Sequence, residues 1–224
     1  MSTTVTPGLA ALADRAEALV AGAAGPGRPL LGITGTPGAG KTTLATALVA
    51  LLDERHGAGW AAYLPMDGFH LANTTLDRLG LRDRKGALET FDSWGFLALL
   101  RRAATETGNP VYVPGFDRRV DEGVTGATVV APGTRLVVAE GNYLLVDQEP
   151  WAGVRDVLAA CWYCDTSPDE RLARLVDRHT RHGRSPEAAE AWARTVDGSN
   201  ALVIEASRDR ADLVVSGVDH RPLA

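Results

Sequence analysis

Gly35-Thr36-Pro37-Gly38-Ala39-Gly40-Lys41-Thr42, GTPGAGKT in one-letter code, decides the reading of this chain. The eight residues fit G-x-x-x-x-G-K-[ST], a pattern whose backbone N–H groups turn inward around phosphate oxygens. The helix that follows directs the positive end of its dipole at the same place. Lys41 reaches for the β- and γ-phosphates, and the Thr42 hydroxyl can ligate Mg²⁺. The flanks supply the context the pattern requires: residues 29–34, PLLGIT, read as a short apolar strand, and residues 43–52, TLATALVALL, as an apolar helix. Gly35 to Thr43 is therefore expected to hold a nucleoside triphosphate.

Working outward, strand candidates recur at 61–66 (AAYLPM), 135–140 (RLVVAE), 157–164 (the apolar run ending CWYC) and 211–215 (ADLVV). Helical patterns occupy 7–22, 43–54, 94–105, 168–182 and 186–196. Strands alternating with helices imply βαβ units, hence a three-layer α/β fold with a parallel sheet covered on both faces. One domain is expected over residues 1–224. Residues 68–130, rich in charge, aromatics and turn formers, separate two sheet strands by a long excursion and are expected to be a substrate-facing insertion.

Composition narrows the partners. A formal net charge of −5 and the absence of any basic stretch argue against a nucleic-acid ligand. Although 45% of residues are hydrophobic, no apolar run is long enough for a membrane span. The N-terminus has no basic segment followed by an apolar core, so no leader and a cytoplasmic location are expected. Cys161 and Cys164 form a lone C-x-x-C inside an apolar run, with no second pair spaced to complete a metal site. On a strand, an offset of three places them on opposite faces, as buried structural thiols.

In a parallel sheet, ligands bind at the carboxyl edge of the strands, so the residue just after each strand is informative. Asp67 follows AAYLPM and Glu140 ends RLVVAE. Two carboxylates are thus expected beside the phosphates, one to hold Mg²⁺ and one to accept a hydroxyl proton. His70 fits a substrate contact and a structural histidine about equally. In DTSPDERLARLVDRHTRHGR, residues 165–184, Ser167 and Pro168 mark a helix start. Arg171, Arg174 and Arg178 then share one helical face, expected to be separate from Leu172, Leu175 and Val176. Such a cationic face can close over transferring phosphates.

Taken together, GTPGAGKT, MDGFH, RKGALETFD, PGFDR, AEGNYLL and DTSPDERLARLVDRH resemble the P-loop kinase group of uridine kinase, phosphoribulokinase and bacterial-type pantothenate kinase. The resemblance spans residues 28–217 and is nearest to a bacterial branch named nucleoside/nucleotide kinase or fructose transport system kinase. It implies ATP and Mg²⁺ as cofactors, Asp67 as the catalytic aspartate and Glu140 as the acidic end of the Walker B strand. It implies a lid helix bearing Arg171, Arg174 and Arg178. It also implies an acceptor pocket shaped by Phe69, His70, Lys85, Phe91, Asp117, Arg118 and Asn142. Dimers or tetramers are one implied assembly. Uridine kinases continue Ser-Phe-Tyr after the catalytic aspartate; here Gly68-Phe69-His70 stands instead, which weakens a uridine or cytidine acceptor.

The function expected is transfer of a γ-phosphoryl group to a hydroxyl of a sugar, a nucleoside or a pantothenate-like alcohol. The alternative is a P-loop NTPase that hydrolyses ATP or GTP to switch or load a partner; it leaves MDGFH and RKGALETFD unexplained. A non-catalytic nucleotide-binding regulator has Lys41, Asp67 and Glu140 against it.

Overall fold

A computed structural model describes residues 5–223; the first four residues, part of the N-terminus where no leader is expected, and Ala224 lie outside the described residues. In chain order the strands are β1 (Leu30–Thr34), β2 (Ala61–Pro65), β3 (Val111–Asp117), β4 (Glu122–Val130), β5 (Leu136–Glu140), β6 (Ala160–Asp165) and β7 (Leu213–Ser216). The helices are α1 (Pro7–Gly22), α2 (Lys41–His56), α3 (Asn73–Leu79), α4 (Ser93–Thr105), α5 (Trp151–Val157), α6 (Pro168–Arg181), α7 (Pro186–Trp192) and α8 (Gly198–Glu205).

Five strands form a parallel sheet in the order β2-β5-β1-β6-β7. Every residue of β1 and β5 is buried, as expected of strands covered on both faces. Side chains alternate between two cores. Leu31, Ile33, Leu136 and Val138 pack with α1 and α2 through Leu12, Leu44 and Leu48. Leu30, Val137 and Ala139 pack on the other face with Phe96, Leu100 and Trp151, from α4 and α5. Cys161 joins this second core and Cys164 the first, both free thiols, as an offset of three on a strand requires.

The structure departs from the sequence reading in three places. Val157 and Leu158 belong to the end of α5 and the turn after it, so β6 begins at Ala160. The helix expected over 186–196 continues through a π-type turn, Ala193–Asp197, into α8. The 68–130 excursion contains α3, α4 and the antiparallel hairpin β3–β4, which forms a separate two-stranded sheet. The hairpin packs beside the turn after β2 and so reaches the carboxyl edge of the main sheet.

Candidate active site

Residues 35–40 leave β1 and enter α2 with Gly40 as the N-cap, at φ 97°. A Cβ there would also lie 2.7 Å from the Gly217 carbonyl, so glycine is required twice over. Three of the loop's carbonyls, those of Pro37, Gly38 and Ala39, are tied down by neighbouring elements. Cys164 Sγ and Thr166 Oγ1 donate to Ala39 O at 3.2 and 2.9 Å. Arg171 Nε donates to Pro37 O at 3.2 Å, and Arg174 donates to Gly38 O and Gly217 O, each at 3.3 Å. With those carbonyls held there, the amides of Gly38, Gly40 and Lys41 have no partner among the described residues, the arrangement that cradles an anion.

Lys41 is buried and its Nζ donates to Thr36 O at 3.0 Å. Burial pushes its ammonium below the usual lysine range, with the Glu140 charge working the other way. Glu140, at the tip of β5, accepts from Thr42 Oγ1 at 3.2 Å and from the Tyr63 hydroxyl at 2.8 Å. Burial raises its carboxyl above the usual range, against the pull of Lys41. Tyr63 is a residue the sequence reading passed over. Its signal was parity: on β2 it shares a face with Pro65, whose partner in the sheet is Glu140.

Lys41, Thr42 and Glu140 line a cleft of about 440 Å³ together with Pro37, Asp67, His70, Lys85, Phe91, Arg118, Asn142 and Arg178. Asp67 sits in the turn Met66–Phe69 directly after β2 and receives Arg118 at 3.2 Å. Burial opposes its ionisation, but His70, Arg118, Lys41 and Arg178 outweigh this and hold it below the usual carboxylate range. His70 lies between Phe91 and Phe116, ring centroids 4.1 and 4.6 Å away. Its Nδ1 is 2.7 Å from the Asp67 carbonyl, which can only accept, so Nδ1 carries the proton. Burial lowers the imidazole's pKa and favours the neutral ring.

Lys85 is held by Asn73 Oδ1 at 2.5 Å and Asp121 Oδ2 at 3.0 Å, beside the Phe116 ring. Tyr143 and Asn200 both donate to Gly86 O, at 2.7 and 3.1 Å, fixing the Lys85-Gly86 turn from below. Asn142 borders the cleft and accepts from Thr34 Oγ1 through its carbonyl at 3.0 Å. Phe69 packs against Phe96 at 5.2 Å in the core, and Asp117 pairs with Arg119 at 2.7 Å; neither lines the cleft.

The three arginines of α6 separate by position. Arg178 enters the cleft and lies 4.0 Å from the buried Asp197, which also holds His179 at 2.7 Å. Arg171 is buried on the same side of the helix as Leu175 and bonds Glu205 at 2.8 Å. The expected division into a cationic and an apolar face therefore fails at Arg171, because loop carbonyls and a carboxylate satisfy it. Thr43, next to Thr42 in the first turn of α2, is exposed.

Known proteins carry related sequences and folds. The chain is 33% identical to "Putative uridine kinase C227.14" of Schizosaccharomyces pombe, over 84% of this chain and 83% of that protein. It is 34% identical to the "ATP-dependent kinase-like protein notR'" of Aspergillus versicolor, over 56% of this chain and 77% of that one. The crystal structure of a "putative fructose transport system kinase" from Silicibacter sp. TM1040 superposes with a TM-score of 0.82 at 40% identity, covering 92% of this chain and 98% of that one. The model of the phosphoribulokinase / uridine kinase family matches residues 30–224, the span holding the loop and both carboxylates, so the chain belongs to that family and is a phosphotransferase acting on an alcohol group.

Proposed function

We propose that the protein transfers the γ-phosphoryl group of ATP to a hydroxyl of a small polar metabolite, with Asp67 as the base. The observation that carries this reading is the shared cleft: Asp67 and the phosphate-loop residue Lys41 line one space, with Asp67 held ionised by its cationic neighbours. The acceptor hydroxyl sits between Asp67 and the γ-phosphate, and Asp67 orients it and takes its proton. Loop amides and Lys41 bind the triphosphate, and Arg178 offsets charge on the moving phosphoryl group. Arg171 and Arg174 act on the nucleotide through the loop carbonyls they hold.

Mg²⁺ fits the donor set. Thr42 Oγ1 and Glu140 Oε2 lie 3.2 Å apart at the loop's end, an all-oxygen pair of the kind Mg²⁺ prefers. Among the described residues no cluster of three His, Cys, Asp or Glu side chains could hold a metal alone. Held by Thr42 and Glu140, such an ion would supply positive charge to offset that of the triphosphate.

The acceptor faces His70, Lys85, Phe91, Phe116 and Arg118, and the kinase names of the relatives favour a sugar or a nucleoside. Among the described residues no helix is long and apolar enough to cross a membrane, and a small-molecule acceptor accords with a cleft of this size. The test is ADP release from Mg-ATP against a panel of sugars, nucleosides and pantothenate-like alcohols. One acceptor should stimulate release, and Asp67→Asn should cut kcat by about 10²–10⁴-fold. Release that ignores every acceptor and survives Asp67→Asn would overturn the kinase assignment of Asp67.

A further inference from the structure

We infer that Tyr63 is a positioning residue for the metal: its hydroxyl fixes the rotamer of Glu140 so that the carboxylate meets the nucleotide-bound cation. This rests on the reading of Glu140 and Thr42 as the Mg²⁺-holding pair.

The geometry begins in the sheet. β2 and β5 run parallel, with Tyr63 opposite Val138 and Pro65 opposite Glu140. Glu140 thus stands two rungs beyond Tyr63's own partner, on the same face. Two rungs span about 6.6 Å, which a tyrosine ring bridges and a serine or threonine does not. The phenol ends 2.8 Å from Glu140 Oε2, the oxygen that also receives Thr42 at 3.2 Å. Tyr63 and Thr42 therefore converge on one carboxylate oxygen, which accepts one bond from the sheet and one from α2. Oε1 has no side-chain partner among the described residues.

The ring itself packs against the core under α1 and α2, so the hydroxyl is delivered from a rigid base. A glutamate side chain has three rotatable bonds, and a carboxylate left to rotate must be reordered each time the metal binds. Outer hydrogen bonds of this kind change metal affinity by about 10–100-fold when removed. Tyr63 is not among the residues that line the cleft; it acts through Glu140.

The test is isothermal titration of ATP into wild type, Tyr63→Phe and Glu140→Gln, each in EDTA and in excess MgCl₂. The quantity read is the gain in ATP affinity that Mg²⁺ confers. Tyr63→Phe keeps the ring and should shrink that gain about tenfold while leaving affinity in EDTA unchanged. Tyr63→Met, which also lacks the hydroxyl, should do the same and serves if the phenylalanine variant folds poorly. An undiminished gain in both Tyr63 variants, with the gain lost in Glu140→Gln, overturns the role of Tyr63. An undiminished gain in Glu140→Gln overturns the metal reading beneath it.

Discussion

At Asp67 the charges around a single carboxyl set its behaviour with pH. The folded protein holds this group below its ordinary value of 3.8, so the base form persists to lower pH than in a free aspartate. Activity that depends on it is lost as pH falls through the lowered value and is fully present above it. Arg118 contributes to that depression from 3.2 Å. In Arg118→Ala the acid limb of the rate–pH profile should therefore move up; a limb at the wild-type position would count against the pairing. His70 gains its charge as pH falls toward that limb and is the largest of the charges that depress Asp67, so His70→Asn should move the acid limb up further than Arg118→Ala does. Much of this residue-scale picture was readable in advance. Asp67 and Glu140 were found because a parallel sheet places every strand end at one edge. Tyr63 and Phe116 were not, because their roles depend on pairing register and on a hairpin whose partner strands share no motif.

Helix α6 carries three arginines with two kinds of employment. Its start was legible from Ser167 and Pro168, and Ser167 does accept from Glu170 N at 3.4 Å. The spacing i, i+3, i+7 suggested one cationic face, but it could not say which guanidiniums would be spent on protein, and the face divides at Arg171. Arg171 satisfies Pro37 O and Glu205, while Arg178 faces the cleft. Arg171→Ala should therefore read as a stability loss of about 1–3 kcal/mol, from a carbonyl left unpaired, in a denaturant titration. Arg178→Ala should leave the unfolding midpoint nearly unchanged and lower kcat by about 10²-fold. Equal effects of the two substitutions on kcat would show that both arginines meet phosphate. The helical pattern over 186–196 failed at its end because a π-type turn at Ala193–Asp197 lets the helix continue with a changed phase, which no fixed 3.6-residue period anticipates.

Over the whole molecule, stability concentrates where both faces are covered. β1 and β5 are buried along their full length, whereas β4 exposes most of its residues. Amide hydrogen exchange should be slowest in β1 and β5 and fastest in β3–β4, and the reverse order would contradict the layered core. Leu48→Ala, at a position with 0% exposure, should cost about 2–5 kcal/mol in unfolding experiments. The three-layer plan was visible from alternating strands and helices because buried parallel strands read as continuous apolar runs. The hairpin was not, because Gly123 and Gly126 and the mostly exposed side chains of β4 erase the period-2 signal.

That hairpin shares no ladder with the main sheet, yet it delivers Phe116 and Arg118 to the cleft. The consequence is one of inheritance. Val111, Val113 and Val130 stay in the core beside Val137 and Ala139, but the exposed and cleft-facing positions of residues 111–130 can be exchanged for a relative's without changing the strand pairing that holds the phosphate loop and Glu140. A lineage built on this plan can exchange what it phosphorylates while keeping how it phosphorylates, and a chimaera carrying a relative's hairpin should change acceptor preference at unaltered ATP affinity.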